Sequence, residues 1–150
     1  MIAFPDTSFL CAIYRRQDNS PAAAAYFQAM PEELHVSGML LYEFRQSLRF
    51  QVWLHGLDKS KGHPQSDCDR ALADLQTDLD CGTVVTVTAD WPDVHRLAET
   101  LSKRHTISGG HRSMDVLHVA TALHLGAREF LTFDTNQRKL AVAEKLKGKP

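Results

Sequence analysis

Short apolar runs and longer amphipathic segments follow one another along this chain. Four runs rich in apolar or β-branched residues predict buried strands, at positions 2–4, 34–36, 83–88 and 130–133. The segments between and after them repeat apolar residues every three or four positions, which predicts helices. These helices cover about 9–14, 20–27, 39–55, 67–79 and 91–104, and two more run from 113 to about 127 and from 135 to about 146.

This alternation predicts an α/β fold in which helices cover both faces of a central, mostly parallel sheet. Right-handed crossover connections then fix most of the topology. The sequence contains no internal repeat and no linker-like stretch, so we expect residues 1–150 to form one domain. A chain of this length can bury a core without disulfides or structural metals.

Local signals predict where several elements begin and end. Pro5 ends the first strand, and Asp6-Thr7-Ser8 is a typical helix start. The glycine-rich, basic stretch from Thr106 to Arg112 predicts a loop. We expect Ser113 to cap the helix that follows this loop.

Composition and charge exclude several classes of function. The formal net charge of −1 gives no overall attraction to nucleic acid, so any such contact needs a local basic patch. The odd number of cysteines and the absence of a C-x-x-C motif predict free thiols in a reducing cytosol. The histidines form no H-E-x-x-H motif, which argues against zinc. No basic, signal-like N-terminal region and no membrane-length apolar run occurs, so we expect a soluble cytoplasmic protein.

Four carboxylates occupy positions where chemistry is expected. Asp6 and Asp134 directly follow the first and last predicted strands, and sites in open parallel sheets form beyond the carboxyl ends of strands. Asp115 lies in the first turn of its helix beside the apolar stripe, and Glu43 lies at the border of the stripe of the 39–55 helix. We therefore predict that the four side chains converge on one cleft.

Each acid also has a purely structural explanation. Asp6 and Asp134 could be helix N-caps. Asp115 could be a first-turn acid favoured by the helix dipole. Glu43 could be a solvated side chain paired with a neighbouring arginine on its own helix. The structural explanation is weaker for the whole set, because two acids follow strands and two border apolar surface where an uncompensated charge is costly.

Four carboxylates that share a pocket repel one another unless a cation lies between them. Oxygen ligands of this kind suit a hard divalent ion, Mg²⁺ or Mn²⁺. Such an ion can lower the pKa of a bound water and stabilise the leaving oxygen in phosphodiester cleavage. The pattern of acids thus favours metal-dependent phosphodiester chemistry.

Four sequence blocks sharpen this hypothesis. They are D-T-S-F-L at 6–10, L-Y-E-F-R at 41–45, M-D-V-L-H-V-A-T-A-L at 114–123 and F-L-T-F-D at 130–134. In their order and spacing they resemble the PIN-domain family, specifically the VapC-type toxins of VapBC toxin–antitoxin systems. The blocks span nearly the whole chain.

The resemblance implies a three-layer α/β/α sandwich and Mg²⁺- or Mn²⁺-dependent cleavage of RNA. It assigns the metal-binding and catalytic acids to Asp6, Glu43 and Asp115, with Asp134 as the fourth. Some PIN nucleases carry a further acid where this chain has His118. The resemblance also implies a cognate antitoxin as partner and a homodimer. In this family an antitoxin segment packs into a groove, for which Tyr14, Tyr26 and Phe27 are candidates beside their role in the core.

Further residues are expected to contact substrate or to support the acids. Thr7, Thr132 and Asn136 are expected to support the acids or to contact substrate, and Arg112 is a further candidate for substrate contact. Local capping is the alternative for Thr7 and Asn136. Two basic patches are candidates for phosphate contact, with solvated helix surface as the alternative. The first patch comprises Lys103, Arg104, His105, His111 and Arg112, and the second comprises Arg45 and Arg49.

Two rival functions are compatible with parts of this pattern. A catalytically silent PIN-like module would bind RNA or protein without cutting, and the presence of all four acids argues against it. A haloacid-dehalogenase-like phosphohydrolase would carry D-x-D after the first strand, where this chain has Asp6-Thr7-Ser8. Metal-dependent RNA cleavage is therefore the function we predict.

Overall fold

The computed structural model describes residues 1–150 and consists of seven helices and five strands. The strands are β1 Ala3–Pro5, β2 Leu34–Ser37, β3 Val84–Val87, β4 Glu129–Leu131 and β5 Lys147–Lys149. The helices are α1 Thr7–Tyr14, α2 Ser20–Ala29, α3 Gly38–Leu57, α4 Gln65–Asp80, α5 Trp91–Gly109, α6 Ser113–His124 and α7 Thr135–Ala143. The predicted order of strands and helices is confirmed from β1 to α7.

All strand pairs are parallel, as the α/β prediction requires. One ladder has the order β1-β4-β5, and β2 pairs with β3 in a second ladder. β1 also lies beside β2, which brings the two ladders together. In the register of β1 and β4, Pro5 lies opposite Leu131. The carboxyl ends of these two strands therefore meet at the same edge of the sheet.

The helices form two packed groups, as expected for layers on the two faces of a sheet. Helices α1 to α4 pack among themselves, and α5, α6 and α7 form the other group. The core between these layers contains the fully buried Phe4, Phe9, Phe44 and Phe130. The three cysteines are free thiols, as predicted. None of the helices is both long enough and apolar enough to cross a membrane.

The predicted loop from Thr106 to Arg112 is mostly wrong. Helix α5 continues to Gly109, and it ends because Gly110 adopts a left-handed conformation with φ of 64°. Ser113 is not the cap of α6, since Arg112 occupies the N-cap position without capping through its side chain. The linker between the two helices is therefore short, and it leads directly into the first turn that carries Asp115.

The end of the chain also differs from the prediction. The last helix ends at Ala143 rather than near 146, and Lys147–Lys149 adds an unpredicted strand beside β4. This strand has the sequence K-G-K, so it lacks the apolar signal from which buried strands are recognised. Thr132 and Phe133, predicted as strand, lie beyond the end of β4.

Candidate active site

Asp6 and Asp134 lie where the chain leaves β1 and β4, and each caps the helix that follows. The Asp6 carboxylate accepts from the backbone N–H of Phe9 at 3.0 Å, and Asp134 accepts from those of Asn136 and Gln137 at 2.8 and 2.9 Å. The capping explanation is thus correct for both residues. Capping uses Oδ1 of Asp134, which leaves its Oδ2 facing Arg112 at 3.5 Å.

Two hydroxyls connect these strand ends. Thr132 Oγ1 donates to Asp6 Oδ2 and accepts from the backbone N–H of Asp134. Ser8 Oγ donates to Asp6 Oδ1 at 2.6 Å and accepts from the backbone N–H of Phe133 at 2.8 Å. Hydrogen bonds from the segment after β1 and from the segment after β4 therefore fix the position of the Asp6 carboxylate. Burial raises the pKa of Asp6, although these hydrogen bonds oppose the shift.

Glu43 reaches the same region from helix α3. Its Oε2 lies 2.5 Å from Nε2 of His118 and accepts a hydrogen bond from the Thr7 hydroxyl. Burial alone would raise the pKa of Glu43, but the hydrogen bonds from His118 and Thr7 lower it. Glu43 is not paired with an arginine of its own helix, so its solvated-surface explanation is wrong.

Asp115 and Arg112 form an ion pair at the start of helix α6. Arg112 Nε lies 2.9 Å from Asp115 Oδ2, and Nη2 lies 3.4 Å from Oδ1. The same guanidinium faces Asp134 at 3.5 Å. The hydrogen bond to Asp115 raises the pKa of Arg112 further above its already high value. Arg112 thus neutralises part of the charge of two acids at once.

These side chains line one cleft of about 230 Å³. No hydrophobic residue contributes to its wall. The lining residues are Asp6, Thr7, Ser8, Glu43, Arg112, Asp115, His118, Asp134 and Gln137. A cleft with four carboxylates and one arginine is acidic and has the oxygen donors that a hard divalent cation prefers.

The carboxylates do not yet converge on a single point inside the cleft. No three acidic or histidine side chains of the chain lie close enough to hold a metal ion as they stand. Each acid is instead held by partners from the chain itself, with Arg112 between Asp115 and Asp134. The donor set fits a divalent ion, and Arg112 pairs with two of the four acids.

Some predicted site residues lie outside the cleft. Asn136 donates to the Gly109 carbonyl at 3.1 Å and contacts His111, so its side chain holds the α5–α6 linker. The proposed basic patch before Asp115 is divided by salt bridges. Arg104 and His105 bind Glu144, Lys103 pairs with Glu99, and Arg112 alone of this patch lines the cleft. Thr7 lies in the cleft as predicted.

The aromatic candidates for a partner groove have roles in the fold. Tyr14 is buried and donates to Asp78 at 2.8 Å. Tyr26 and Phe27 are partly buried against the core. The Tyr26 hydroxyl donates to Glu129. Core packing therefore accounts for Tyr14, whereas Tyr26 and Phe27 also line grooves at the surface.

Two cleft residues were missed by the sequence analysis. Ser8 was treated only as part of a helix start, although its hydroxyl touches Asp6 and the segment after β4. Gln137 is buried and donates to the Asp115 carbonyl at 3.2 Å, which ties α7 to α6. A buried glutamine one turn after a strand-end acid carries no sequence signal, because its partner is distant in the chain.

Comparisons with known proteins agree with this geometry. The model of the PIN domain family matches residues 3–143. Among solved structures, VapC20 of Mycobacterium tuberculosis, a Sarcin-Ricin loop cleaving toxin, has a TM-score of 0.67 at 20% identity and covers 99% of both chains. VapBC2 of Rickettsia felis, bound to a promoter DNA fragment, has a TM-score of 0.66 at 11% identity over 99% of this chain and 98% of that chain.

VapBC-1 of nontypeable Haemophilus influenzae has a TM-score of 0.64 at 14% identity and covers 99% of this chain and 97% of that chain. No curated protein matches the sequence significantly. The identities to the solved structures are low, so these likenesses concern the fold. The family match covers nearly the whole chain, and it includes all four acids of the cleft. The chain belongs to the PIN domain family.

Proposed function

We propose that this chain is a metal-dependent endoribonuclease and the toxin of a toxin–antitoxin pair. The observation that carries the proposal is the polar cleft, which is lined by carboxylates from four separate parts of the chain. Membership of the PIN domain family and the fold-level likeness to VapC toxins support the same activity. PIN-domain nucleases generally use a divalent metal.

The residues that would hold Mg²⁺ or Mn²⁺ are Asp6, Glu43, Asp115 and Asp134. Bound there, the ion would lower the pKa of a water molecule and stabilise the leaving oxygen of the phosphodiester. Thr132 and Ser8 hold Asp6 in place, and His118 and Thr7 do the same for Glu43. The chain thus contributes positioned ligands.

Arg112 is the residue of the cleft suited to the substrate phosphate. Its side chain is 75% exposed, and its guanidinium reaches both Asp115 and Asp134. Once it releases these acids, it can donate paired hydrogen bonds to a phosphate oxygen. Arg112 would therefore exchange a carboxylate partner for a phosphate partner as substrate binds.

The same relatives support a broader biological role for this chain. The structural neighbours include toxin–antitoxin complexes, which supports a cognate antitoxin as partner. One of them is a Sarcin-Ricin loop cleaving toxin, which supports RNA as substrate. We further propose a homodimer with one nuclease domain over residues 1–150, acting in the cytoplasm.

RNA cleavage tests the proposed activity. We expect Mg²⁺ or Mn²⁺ to support cleavage of a labelled RNA and EDTA to stop it. Glu43→Gln and Asp115→Asn should each abolish most cleavage, because each removes a carboxylate from the cleft. Asp93→Asn is the matched control, since Asp93 is also a first-turn helix acid but pairs with Arg96 outside the cleft. RNA binding without cleavage under all these conditions would favour the catalytically silent alternative.

A further inference from the structure

Helix α3 carries an exposed aromatic face outside the cleft, here called the α3 platform. Tyr42, Phe50 and Trp53 are 65, 50 and 56% exposed, and they are the only phenylalanine, tyrosine or tryptophan side chains among the exposed large hydrophobic residues. The rings of Phe50 and Trp53 lie 5.3 Å apart, which makes a continuous surface. Exposed aromatic side chains concentrated on one helix indicate a binding surface.

The α3 platform also carries positive charge. Arg45 and Arg49 lie one turn apart along α3, and the side chain of neither forms a salt bridge or a hydrogen bond. Glu43 is the one carboxylate in α3, and it points into the cleft. The neighbouring helix α4 is acidic, but none of its aspartates forms a salt bridge with either arginine. The two arginines of α3 are therefore free to bind an anionic ligand.

The α3 platform begins one residue before Glu43, which lines the cleft. Tyr42 immediately precedes Glu43, and Trp53 lies eleven positions farther, about 16 Å along the helix axis. The cleft has a polar wall and a volume of about 230 Å³, so it suits a phosphate group but offers no surface on which a base can stack. Contacts to bases must then come from outside the cleft.

We propose that the α3 platform binds single-stranded RNA, with bases stacked on Tyr42, Phe50 and Trp53 and phosphates bound by Arg45 and Arg49. The proposal rests on the proposed function, since it takes RNA as the ligand that enters the cleft. Stacking requires bases that are not already stacked in a duplex, which selects single strands and loops. Aromatic side chains combined with arginines provide both the base and the backbone contacts.

Fluorescence of Trp53 provides the test. Trp91→Phe leaves Trp53 as the sole tryptophan of the folded protein. An unstructured 2′-O-methyl oligoribonucleotide is titrated in Mg²⁺, and its integrity is checked on a gel. We expect quenching of Trp53 and binding about tenfold weaker in Phe50→Ala. Arg49→Ala should reduce the slope of log affinity against log salt by about 0.7.

Ile107→Ala is the matched control, because Ile107 is 96% exposed on α5 and should leave the affinity unchanged. Absence of binding, or binding without quenching and with unchanged affinity in Phe50→Ala, would overturn the proposal. Sedimentation is measured in parallel. If the wild type is a dimer, and Trp53→Ala makes it a monomer without changing its RNA affinity, the α3 platform is the contact surface for a second copy of the chain. That result would also overturn the proposal.

Binding and cleavage are read separately, so the two proposals can fail independently. Quenching by the oligonucleotide together with no cleavage of any RNA would support the α3 platform and contradict the nuclease activity. The opposite result is that Phe50→Ala and Arg49→Ala both cleave RNA at the wild-type rate and bind it with wild-type affinity. That result would contradict RNA binding by the α3 platform and would support the nuclease activity.

Discussion

Asp6 caps a helix and lines the cleft with the same side chain. It is almost fully buried, and its carboxylate accepts hydrogen bonds from Phe9, Ser8 and Thr132. Burial raises its pKa above the ordinary value of 3.8. A buried carboxylate that is kept charged at neutral pH destabilises the metal-free fold. The same negative charge would attract and bind a divalent ion.

The pH dependence of stability tests this view of Asp6. Because its pKa is raised, the folded protein binds the Asp6 proton more tightly than the unfolded chain does, and the bound proton stabilises the fold. This stabilisation is complete below a pH of about 3.8 and is lost as the pH rises through the folded-state pKa. Asp6→Asn removes this loss, because asparagine is neutral and still caps helices well. Thermal melts in EDTA should show the variant at or above the wild type at neutral pH. A clearly lower melting temperature there would show that the carboxylate's hydrogen bonds outweigh its burial.

Arg112 is predicted to compete with metal for Asp115. Arg112→Ala frees Asp115 and Asp134, so Mn²⁺ should bind the variant severalfold more tightly in calorimetric titrations. Arg104→Ala is the control, because Arg104 pairs with Glu144 outside the cleft and should leave Mn²⁺ affinity unchanged. Equal or weaker Mn²⁺ binding by Arg112→Ala would mean that the guanidinium does not occupy space the ion needs.

At the scale of elements, the loop between α3 and α4 depends on one glycine. Gly62 has φ of 59°, and a Cβ there would lie 1.9 Å from the Gln51 carbonyl oxygen. Gly62→Ala should therefore lower the free energy of unfolding by more than 1 kcal/mol in urea titrations, through steric overlap and backbone strain. Gly56→Ala is the matched control, since nothing lies near its added Cβ.

Gly56 lies inside α3, so its replacement by alanine should be neutral or stabilising by up to about 1 kcal/mol. Comparable destabilisation by both variants would mean that the Gly62 turn is not required for α3 and α4 to pack. Helix α3 supplies Glu43 and the α3 platform, so its packing matters for both proposed sites.

The sequence predicted those features that depend on local order in the chain. Apolar runs identified four of the five strands, and parallel pairing then placed Asp6 and Asp134 at one sheet edge. The polar strand β5 and the extension of α5 to Gly109 were missed. Strand β5 is stabilised by pairing with β4, which its polar sequence does not indicate. The glycines at 109 and 110 suggested a loop, although helix α5 continues through Gly109 and is capped at Gly110.

The contacts among cleft residues could not be predicted in the same way. Thr132 reaches Asp6 across 126 positions of sequence, and Gln137 reaches the Asp115 carbonyl across 22. Such contacts depend on how helices and strands pack, which periodicity does not encode. The sequence identified the acids of the cleft and named Thr7 and Thr132 as candidate supporting residues. Which acid each of them holds, and the contacts of Ser8 and Gln137, became evident only from the structure.

At the scale of the whole molecule, metal binding should stabilise the fold. An ion that binds only the folded protein adds about 2.7 kcal/mol when its concentration is a hundred times Kd. The wild-type melting temperature should therefore rise with Mn²⁺ relative to EDTA. Asp115→Asn should gain much less, while Asp93→Asn should respond like the wild type. An equal rise in all three proteins would indicate that Mn²⁺ binds elsewhere.

The central claim is that one divalent ion binds among the four carboxylates of the cleft. Anomalous diffraction from crystals grown with Mn²⁺ locates that ion directly. We predict a peak within about 2.0–2.3 Å of carboxylate oxygens of Asp6 and Asp115, with Arg112 turned away from both aspartates that it contacts here. Diffraction that shows no manganese in this cleft, with Arg112 still paired to Asp115, would contradict the claim.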